Sequence, residues 1–188
     1  NVGDNNFRNF NISTTSAAGL ATLALILNNN NAIDNQSYTN NYTSGSSTPY
    51  IVVSGTNLQS FYGIATTSAA QTSGTLSFLN NSLTNITINN PNGFCYGIYA
   101  NSGTIALNTV NVTVSNCHIN NIVLVGGIYT GILVVKAHSL ATINNNLVEN
   151  ISGLNTVNGI QSGSGSNLNI YNNVVRSLTP ASLFIGIY

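Results

Sequence analysis

Charge is what this chain lacks most. Its 188 residues include three basic and three acidic residues, and the formal net charge is zero. Nucleic acids are held mainly by Lys and Arg on phosphates, and anionic membrane surfaces attract polybasic segments. We therefore expect no nucleic-acid partner and no binding to anionic membranes.

Carboxylates are equally scarce, since Asp4, Asp34 and Glu149 are the only acidic residues. Glycosidic cleavage normally uses two acidic side chains about 5 to 10 Å apart, and calcium sites need several carboxylate oxygens. His118 and His138 have no Cys or acidic partner at the spacing of a metal site. The sequence predicts no catalytic residue, no metal and no cofactor, and hence a protein that is not an enzyme.

The chain also lacks long apolar runs and has two cysteines. Its longest apolar stretch, 122–135, is interrupted by glycines and is too short to cross a bilayer, so no membrane insertion is expected. Cys95 falls where related segments carry large apolar residues, which predicts that it points inward. Cys117 falls on a different side of the repeat, which disfavours a disulfide between the two without excluding it.

Asn is the most frequent residue, and it marks a repeat. A seven-residue pattern opens with two amide-type residues and continues with alternating apolar positions. It occurs at 4–10, 30–36, 80–86, 116–122, 145–151 and 172–178. A Gly followed by an aliphatic residue recurs between these segments, at Gly19, Gly63, Gly97, Gly131, Gly159 and Gly186. Periods of roughly 20 to 50 residues indicate a stacked, solenoid-like fold.

Short runs of alternating apolar and small polar residues precede the Asn pairs at 76–78, 110–114, 140–143 and 168–170. Such alternation is typical of half-buried strands. We predict an all-β fold, a single-stranded parallel β-helix of about six to seven coils, in which like residues stack about 4.8 Å apart.

The Asn pairs are expected at the corners of the coils, because Asn tolerates left-handed backbone and its amide can bond to the Asn above and below. The predicted structural ladder consists of Asn30, Asn80, Asn116, Asn145 and Asn172. Stacked charges would repel, which explains the neutral composition. The charged residues Arg8, Asp34, Glu149 and Arg176 share one variable, outward position of the pattern, with Asp34 and Glu149 too far apart to cooperate.

The chain is expected to form one domain over 1–188, with a loop insertion at 36–50, where Ser, Thr, Asn and Gly accumulate before Pro49. The 50-residue interval could instead hold two short coils. The insertion is favoured because no Asn pair opens a corner near 51–58.

The repeat style, with Gly-Ile-Tyr segments and strands such as LNIYNNVV, resembles the parallel β-helix repeats of large secreted and cell-surface proteins, notably of the Bacteroidetes. Those repeats are similar to pectate-lyase-like β-helices. The resemblance covers roughly 15–188 and implies a right-handed coil and an extracellular or cell-surface location. It includes no catalytic motif.

Three tyrosines, Tyr62, Tyr96 and Tyr99, flank the Gly-Ile segments of adjacent units. An exposed column of Tyr could stack on sugar rings. The alternative, which is favoured, is that alternating members of the row, to which Tyr129 and Tyr188 also belong, face the core and stack on each other. At most half of an alternating run can face outward.

Two functions follow. The first is a non-enzymatic structural or adhesive module, part of a longer repeat protein or a protomer whose partners are neighbouring repeats or identical copies stacked end to end. The second is a carbohydrate-binding or degenerate polysaccharide-lyase-like β-helix, whose partner is a surface polysaccharide. A third, ice binding, needs a regular Thr array, and Thr75, Thr113 and Thr142 are not expected to share one register.

Overall fold

The computed structural model describes residues 1–14, 21–28, 35–46, 48–55, 58–67, 73–89, 91–101, 109–135, 139–163 and 167–187. Within these ranges the chain forms twenty β-strands and no helix. No helix that could cross a membrane is therefore found in the described ranges. The predicted all-β class is confirmed.

The strands are arranged in three sheets. The first sheet contains β1 (Val2–Gly3), β5 (Asn35–Thr39), β9 (Thr75–Leu79), β12 (Asn111–Ser115), β15 (Leu140–Asn144) and β18 (Leu168–Tyr171). The second contains β2 (Asn6–Arg8), β3 (Phe10–Thr14), β6 (Tyr42–Ser44), β7 (Ile51–Gly55), β10 (Ser82–Asn89), β13 (His118–Val125), β16 (Leu147–Gly153) and β19 (Val174–Pro180). The third contains β4 (Ala21–Asn28), β8 (Leu58–Thr66), β11 (Phe94–Asn101), β14 (Ile128–Val135), β17 (Val157–Ser162) and β20 (Phe184–Ile187).

Consecutive strands of the chain pass from the first sheet to the second and then to the third, so one circuit makes one coil. Every strand pairs in parallel with the equivalent strand of the next coil, as in β9 with β12 and β12 with β15. The described residues form six such coils. The predicted parallel β-helix is confirmed.

Each coil turns from the first sheet to the second at a residue with left-handed backbone. That residue has φ of 59° at Asp4 and between 54° and 56° in the later coils, at Asn40, Asn80, Asn116, Asn145 and Asn172. Asn adopts this conformation more readily than other residues with a Cβ, which explains why Asn recurs here.

A second left-handed residue follows five positions later, inside or beside the second-sheet strand. It is Asn9 in the first coil and Asn85, Asn121, Asn150 and Ser177 in the last four. This residue lies opposite its equivalent in the next coil, since Thr84 pairs with Asn120 and Ile86 with Ile122. The left-handed residue bends both strands at the same place without a change of register, and the apolar residues on either side of it, such as Leu83 and Ile86, both face inward.

The core consists of columns of like residues, one from each coil. One column on the third sheet consists of Ile64, Ile98, Ile132 and Ile160, each fully buried and paired with the next. On the first sheet the rings of Tyr38 and Phe78 stack with centroids 4.9 Å apart. Parallel in-register pairing thus converts the sequence repeat into a continuous apolar interior.

Two expectations about the second coil differ from the structure. The loop predicted at 36–50 is wrong for 36–44, because Asn35–Thr39 and Tyr42–Ser44 are strands. The corner of this coil is Asn40 with Asn41, whereas Asn30 lies outside the described residues. Residues 45–46 and 48–50, the described residues between β6 and β7, are not in strands, and both β6 and β7 pair with β10.

The error has a physical reason. Tyr38 is buried and Gln36 is 4% exposed, with its Oε1 accepting from the Tyr38 hydroxyl at 3.0 Å. A polar stretch can therefore occupy inward positions when its side chains satisfy each other. Composition alone cannot distinguish such a strand from a loop.

Candidate functional site on the outer face of the third sheet

The outer face of the third sheet is organised by a recurring glycine. Tyr96 pairs with Thr130 and Ile98 with Ile132, so Gly97 lies opposite Gly131 with the register unchanged. A Cβ built on Gly97 would lie 2.5 Å from the carbonyl oxygen of Gly131 in the next coil. Glycine is required by this close approach. Around it, Tyr96 and Tyr99 face outward while Ile98 stays inside.

The three predicted tyrosines come together on this face and are half-buried. Tyr62 and Tyr96 stack with centroids 5.3 Å apart and planes 17° apart, while Tyr99 contacts both rings at 5.3 and 4.9 Å. Phe94 extends the row, 6.4 Å from Tyr96, and is 51% exposed. The alternation between outward and core positions does not hold among these three tyrosines, since all three face outward; the core position is taken by Tyr129, which is 1% exposed.

Packing within the cluster shifts the pKa values of the hydroxyls. Burial raises the pKa of Tyr96 well above its ordinary value, and the neighbouring Tyr62 and Tyr99 hydroxyls add to the rise. Burial likewise raises the pKa of Tyr62 and of Tyr99. A tyrosine is already neutral at physiological pH, so the raised pKa values leave the three phenols as the hydrogen-bond donors that they ordinarily are.

A groove adjoins the aromatic cluster and has a volume of about 300 Å³. Its lining comes from four successive coils and includes Phe94, Tyr96, Ile128, Thr130, Leu133, Thr156, Asn158, Gln161 and Ile185. A second cavity of about 550 Å³ shares Phe94, Ile128 and Thr156 with it and continues past Pro91. Concave, mostly apolar surfaces with a few polar groups are typical ligand sites.

Asn158 is the polar residue that distinguishes this groove. It is 6% exposed and donates from Nδ2 to the Thr130 hydroxyl oxygen at 3.1 Å. Its Oδ1 is buried and has no hydrogen-bond partner within the described residues. A buried amide oxygen without a partner costs stability, so its presence in the groove needs an explanation.

The second sheet carries a different cluster, which sequence analysis missed. Glu149 Oε1 lies 3.0 Å from His118 Nε2, and Glu149 Oε2 lies 2.7 Å from Arg176 Nη2. The sequence shows no acidic partner for His118 at the spacing of a metal site, and the partner that the fold supplies is 31 positions away. Glu149 and Arg176 do share the outward position of successive coils, as expected.

The contact between His118 and Glu149 can be inferred from the sequence once the coils are aligned. His118 pairs with Leu147, two positions before Glu149 on the neighbouring strand, so it approaches Glu149 diagonally. The pKa of Glu149 is lowered mainly by the hydrogen bond from Arg176, with a further contribution from His118. Arg176 is 61% exposed, which makes the group a surface ion-pair network.

The predicted corner asparagines occupy equivalent corners, but their side chains do not form the ladder. Among the described residues, no side-chain hydrogen bond joins Asn80, Asn116, Asn145 and Asn172 to one another; Asn30 is not described. The amide ladder lies one residue further along. It connects Asn5 to Asn41 at 2.8 Å, Asn41 to Asn81 at 3.0 Å, and Asn146 to Asn173 at 2.9 Å.

Cys117 replaces the ladder residue in the fourth coil and remains within the ladder. Its Sγ accepts from Asn81 Nδ2 at 3.8 Å, and its backbone N–H donates to Asn146 Oδ1 at 2.9 Å. Cys95 is fully buried, as predicted, and both cysteines are free thiols. Burial raises the pKa of Cys117 to about 11 and that of Cys95 to about 12, so neither is a reactive thiolate.

The expectation that Thr75, Thr113 and Thr142 do not share one register is confirmed. Thr113 and Thr142 pair directly on the outer face of the first sheet, and Ser77 precedes them in the same column, whereas Thr75 pairs with Asn111. The outer face of the first sheet therefore carries a column of hydroxyl groups. Among its described members, two are threonines. No group of three His, Cys, Asp or Glu residues in the described ranges could hold a metal ion.

We compared the chain with protein-family models, with curated proteins and with solved structures. Nothing matched.

Proposed function

We propose that this chain is a non-enzymatic structural or adhesive β-helix module of an extracellular or cell-surface protein, of the kind found in repeat-rich surface proteins of the Bacteroidetes. The single observation that carries the proposal is the amide ladder with its parallel apolar columns. Both repeat from coil to coil in the same register, so each coil offers the next an equivalent surface. Such a fold extends by adding coils.

The last described coil supports extension. Leu168, Phe184 and Ile187 are 44, 51 and 43% exposed, although the residues with which they pair or align in the fifth coil are fully buried. Phe184 pairs with Val157 and Ile187 with Ile160. An apolar face of this kind fits a further coil with the same register, from a neighbouring repeat or from an identical protomer.

The ladder gives such stacking a direction. In each step the earlier Asn donates its Nδ2 to the Oδ1 of the later one, as in Asn5 to Asn41 and Asn146 to Asn173. By the same rule, Asn173 would donate its Nδ2 to the Oδ1 of an Asn in a coil stacked on it. The first coil of an identical protomer would supply that oxygen through Asn5. Head-to-tail contacts between identical surfaces of this type generate filaments.

The described carboxylates support a non-enzymatic role. Asp4 lies in the first coil and Glu149 in the fifth, four coils apart, which corresponds to about 19 Å at 4.8 Å per coil. Glycoside hydrolysis needs two carboxyl groups about 5 to 10 Å apart. Glu149 is in addition engaged by His118 and Arg176.

Light scattering and electron microscopy of the purified chain test the structural proposal. We expect concentration-dependent end-to-end assembly that is lost in a Leu168→Lys, Leu178→Lys double variant, because both side chains belong to the inward columns of the last described coil. A Val123→Lys, Leu154→Lys variant adds the same charge at exposed positions elsewhere and should still assemble. Monodisperse monomers at every concentration would contradict the proposal.

Carbohydrate binding is the second candidate function. It is favoured by one specific observation, the row of Tyr62, Tyr96, Tyr99 and Phe94 beside a groove on an outer sheet face. A surface polysaccharide is the partner that this arrangement would take.

A further inference from the structure

We infer that the groove between the Phe94 and Tyr96 rings and the Asn158 amide is a subsite for a neutral sugar ring, and that it takes uncharged glycan chains in preference to acidic ones. This inference deepens the carbohydrate-binding candidate and does not depend on coil stacking.

The aromatic wall supplies the apolar half of the site. Phe94 is 51% exposed and its ring lies within 18° of the plane of Tyr96. The axial C–H bonds of a pyranose pack against such ring faces, which carry partial negative charge. Tyr62 and Tyr99 pack against Tyr96 and hold it in place, so little side-chain entropy is lost when a ligand binds.

The polar half of the site is the Asn158 amide. Its Nδ2 donates to the Thr130 hydroxyl, whereas its Oδ1 lacks a donor within the described residues, and both residues line the groove. A sugar hydroxyl is a donor of the required kind. Because this Oδ1 is itself buried, a sugar hydroxyl reaches it only when the Asn158 side chain turns toward the groove. Gln161 lies on the same wall and adds an amide that can donate and accept. A site built to bond a hydroxyl discriminates strongly against ligands that lack one.

The absence of charge in the lining selects for neutral ligands. None of the residues lining either cavity within the described part of the chain is acidic or basic. Carboxylated sugars are held by Arg, Lys or a bound cation, and burying an unpaired carboxylate is costly. The described side chains of His118, Glu149 and Arg176 belong to the second sheet and do not line the groove.

The shape of the groove favours a chain over a single sugar. The cavities of about 300 and 550 Å³ share Phe94, Ile128 and Thr156, so an oligosaccharide can continue from one into the other. We expect a tetrasaccharide to bind more tightly than its monosaccharide.

Affinity chromatography tests the inference, on columns that carry immobilised hydroxyethyl cellulose, xylan, mannan, mixed-linkage β-glucan or dextran. A sixth column carries polygalacturonate as the acidic probe. We expect at least one neutral polymer to retard the chain, equally at low and high salt, and polygalacturonate not to retard it. Retardation by polygalacturonate alone, or by no neutral polymer, would overturn the inference.

Three variants and a control locate the site. Tyr96→Ala and Phe94→Ala should each lower affinity by about three- to tenfold, the range of a lost aromatic contact. A Thr130→Val, Asn158→Leu double variant should lose binding while its midpoint of thermal unfolding is unchanged or raised, since it removes both members of an incompletely bonded pair. Tyr42→Ala, at an exposed tyrosine of the second sheet, should bind normally.

Binding that survives all three variants would show that the sugar lies elsewhere and would overturn the site. The assembly variant Leu168→Lys, Leu178→Lys leaves the groove residues intact, so it should still bind the retarding polymer. A chain that assembles without binding, or binds without assembling, therefore separates this inference from the structural proposal.

Discussion

Asn146 donates from its Nδ2 to Asn173 Oδ1 at 2.9 Å, although the two residues are 27 positions apart in the chain. Asn146 is 1% exposed and also donates to the Val114 carbonyl and accepts from the Cys117 N–H. One side chain therefore satisfies polar groups from the coils on either side of its own. This relationship makes the buried amide column the main polar determinant of coil register.

Replacing Asn146 by Ala should be strongly destabilising. The substitution leaves the Val114 carbonyl and the Cys117 N–H without their partner, whereas Asn173 Oδ1 keeps its bond from the backbone N–H of residue 146. Each buried orphan costs about 1 to 3 kcal/mol. We expect the free energy of unfolding, measured by urea denaturation, to fall by about 3 kcal/mol or more. Asn167→Ala, which removes one exposed hydrogen bond to Ser139, should cost less than about 1 kcal/mol. Equal losses would contradict a buried ladder.

Replacing Cys117 by Asn should stabilise the chain. Asn81 and Asn146 occupy the same position in neighbouring coils, and Cys117 already contacts the Phe78 carbonyl, to which an Asn amide could donate. Completing the ladder should add about 1 kcal/mol to the free energy of unfolding. Cys117→Ala serves as the control and should be destabilising. A loss of stability in Cys117→Asn would show that the fourth coil is too narrow for an amide.

The recurring glycine of the third-sheet strands should be essential inside the stack, at Gly97, and dispensable in the last described coil, at Gly186. A Cβ on Gly97 would lie 2.5 Å from the Gly131 carbonyl oxygen, whereas one on Gly186 would meet nothing closer than the Phe184 ring at 3.6 Å. We expect Gly97→Ala to lower the free energy of unfolding by about 3 kcal/mol and Gly186→Ala to leave it nearly unchanged. Thermal unfolding followed by circular dichroism compares the two variants. Similar unfolding midpoints would show that the coils at Gly97 are not close enough for an added Cβ to clash.

Stability should depend on pH through Glu149. Because Arg176 and His118 lower its pKa in the folded chain, the ionised carboxylate stabilises the fold. That stabilisation is complete above the unfolded pKa of about 4.3 and is lost as the pH falls through the lower folded value. The difference in unfolding free energy between the parent chain and Glu149→Gln should therefore grow from pH about 2 to pH about 5.

The size of this effect should be modest. Arg176 is 61% exposed, so solvent screens the pair and we expect about 0.5 to 1 kcal/mol at neutral pH. Urea titrations of the parent chain, Glu149→Gln and Arg176→Gln at several pH values provide the measurement. A difference that is constant from pH 3 to pH 7 would mean that Glu149 contributes nothing through its charge.

The strands and corners could be predicted because they depend on local chemistry. Short alternating runs such as 140–143 became the strand Leu140–Asn144, and Asn145 adopts left-handed backbone with φ of 55°. Both preferences belong to individual residue types and their immediate neighbours. The column position of Cys95 was predictable for the same reason, since it follows from counting back from Gly97.

Contacts between coils were harder to predict because they depend on the length of every preceding loop. If 36–50 is interpreted as a loop, the second coil is aligned incorrectly with the other coils, because its corner is then placed at Asn30 and not at Asn40. His118 and Glu149 are 31 positions apart and meet diagonally across two strands, so their contact is visible only after alignment. Asn158 and Tyr96 belong to coils that are two steps apart, and no local pattern marks their common groove.

By itself the sequence determined a neutral, all-β, repeating chain, because apolar periodicity and the backbone preference of Asn act over a few residues. Only the tertiary structure decided which Asn of each pair forms the buried ladder, that Tyr62, Tyr96 and Tyr99 face outward, and where Glu149 finds its partners. These outcomes depend on how far each coil is shifted against the next, and that shift is set by the packing of the whole stack.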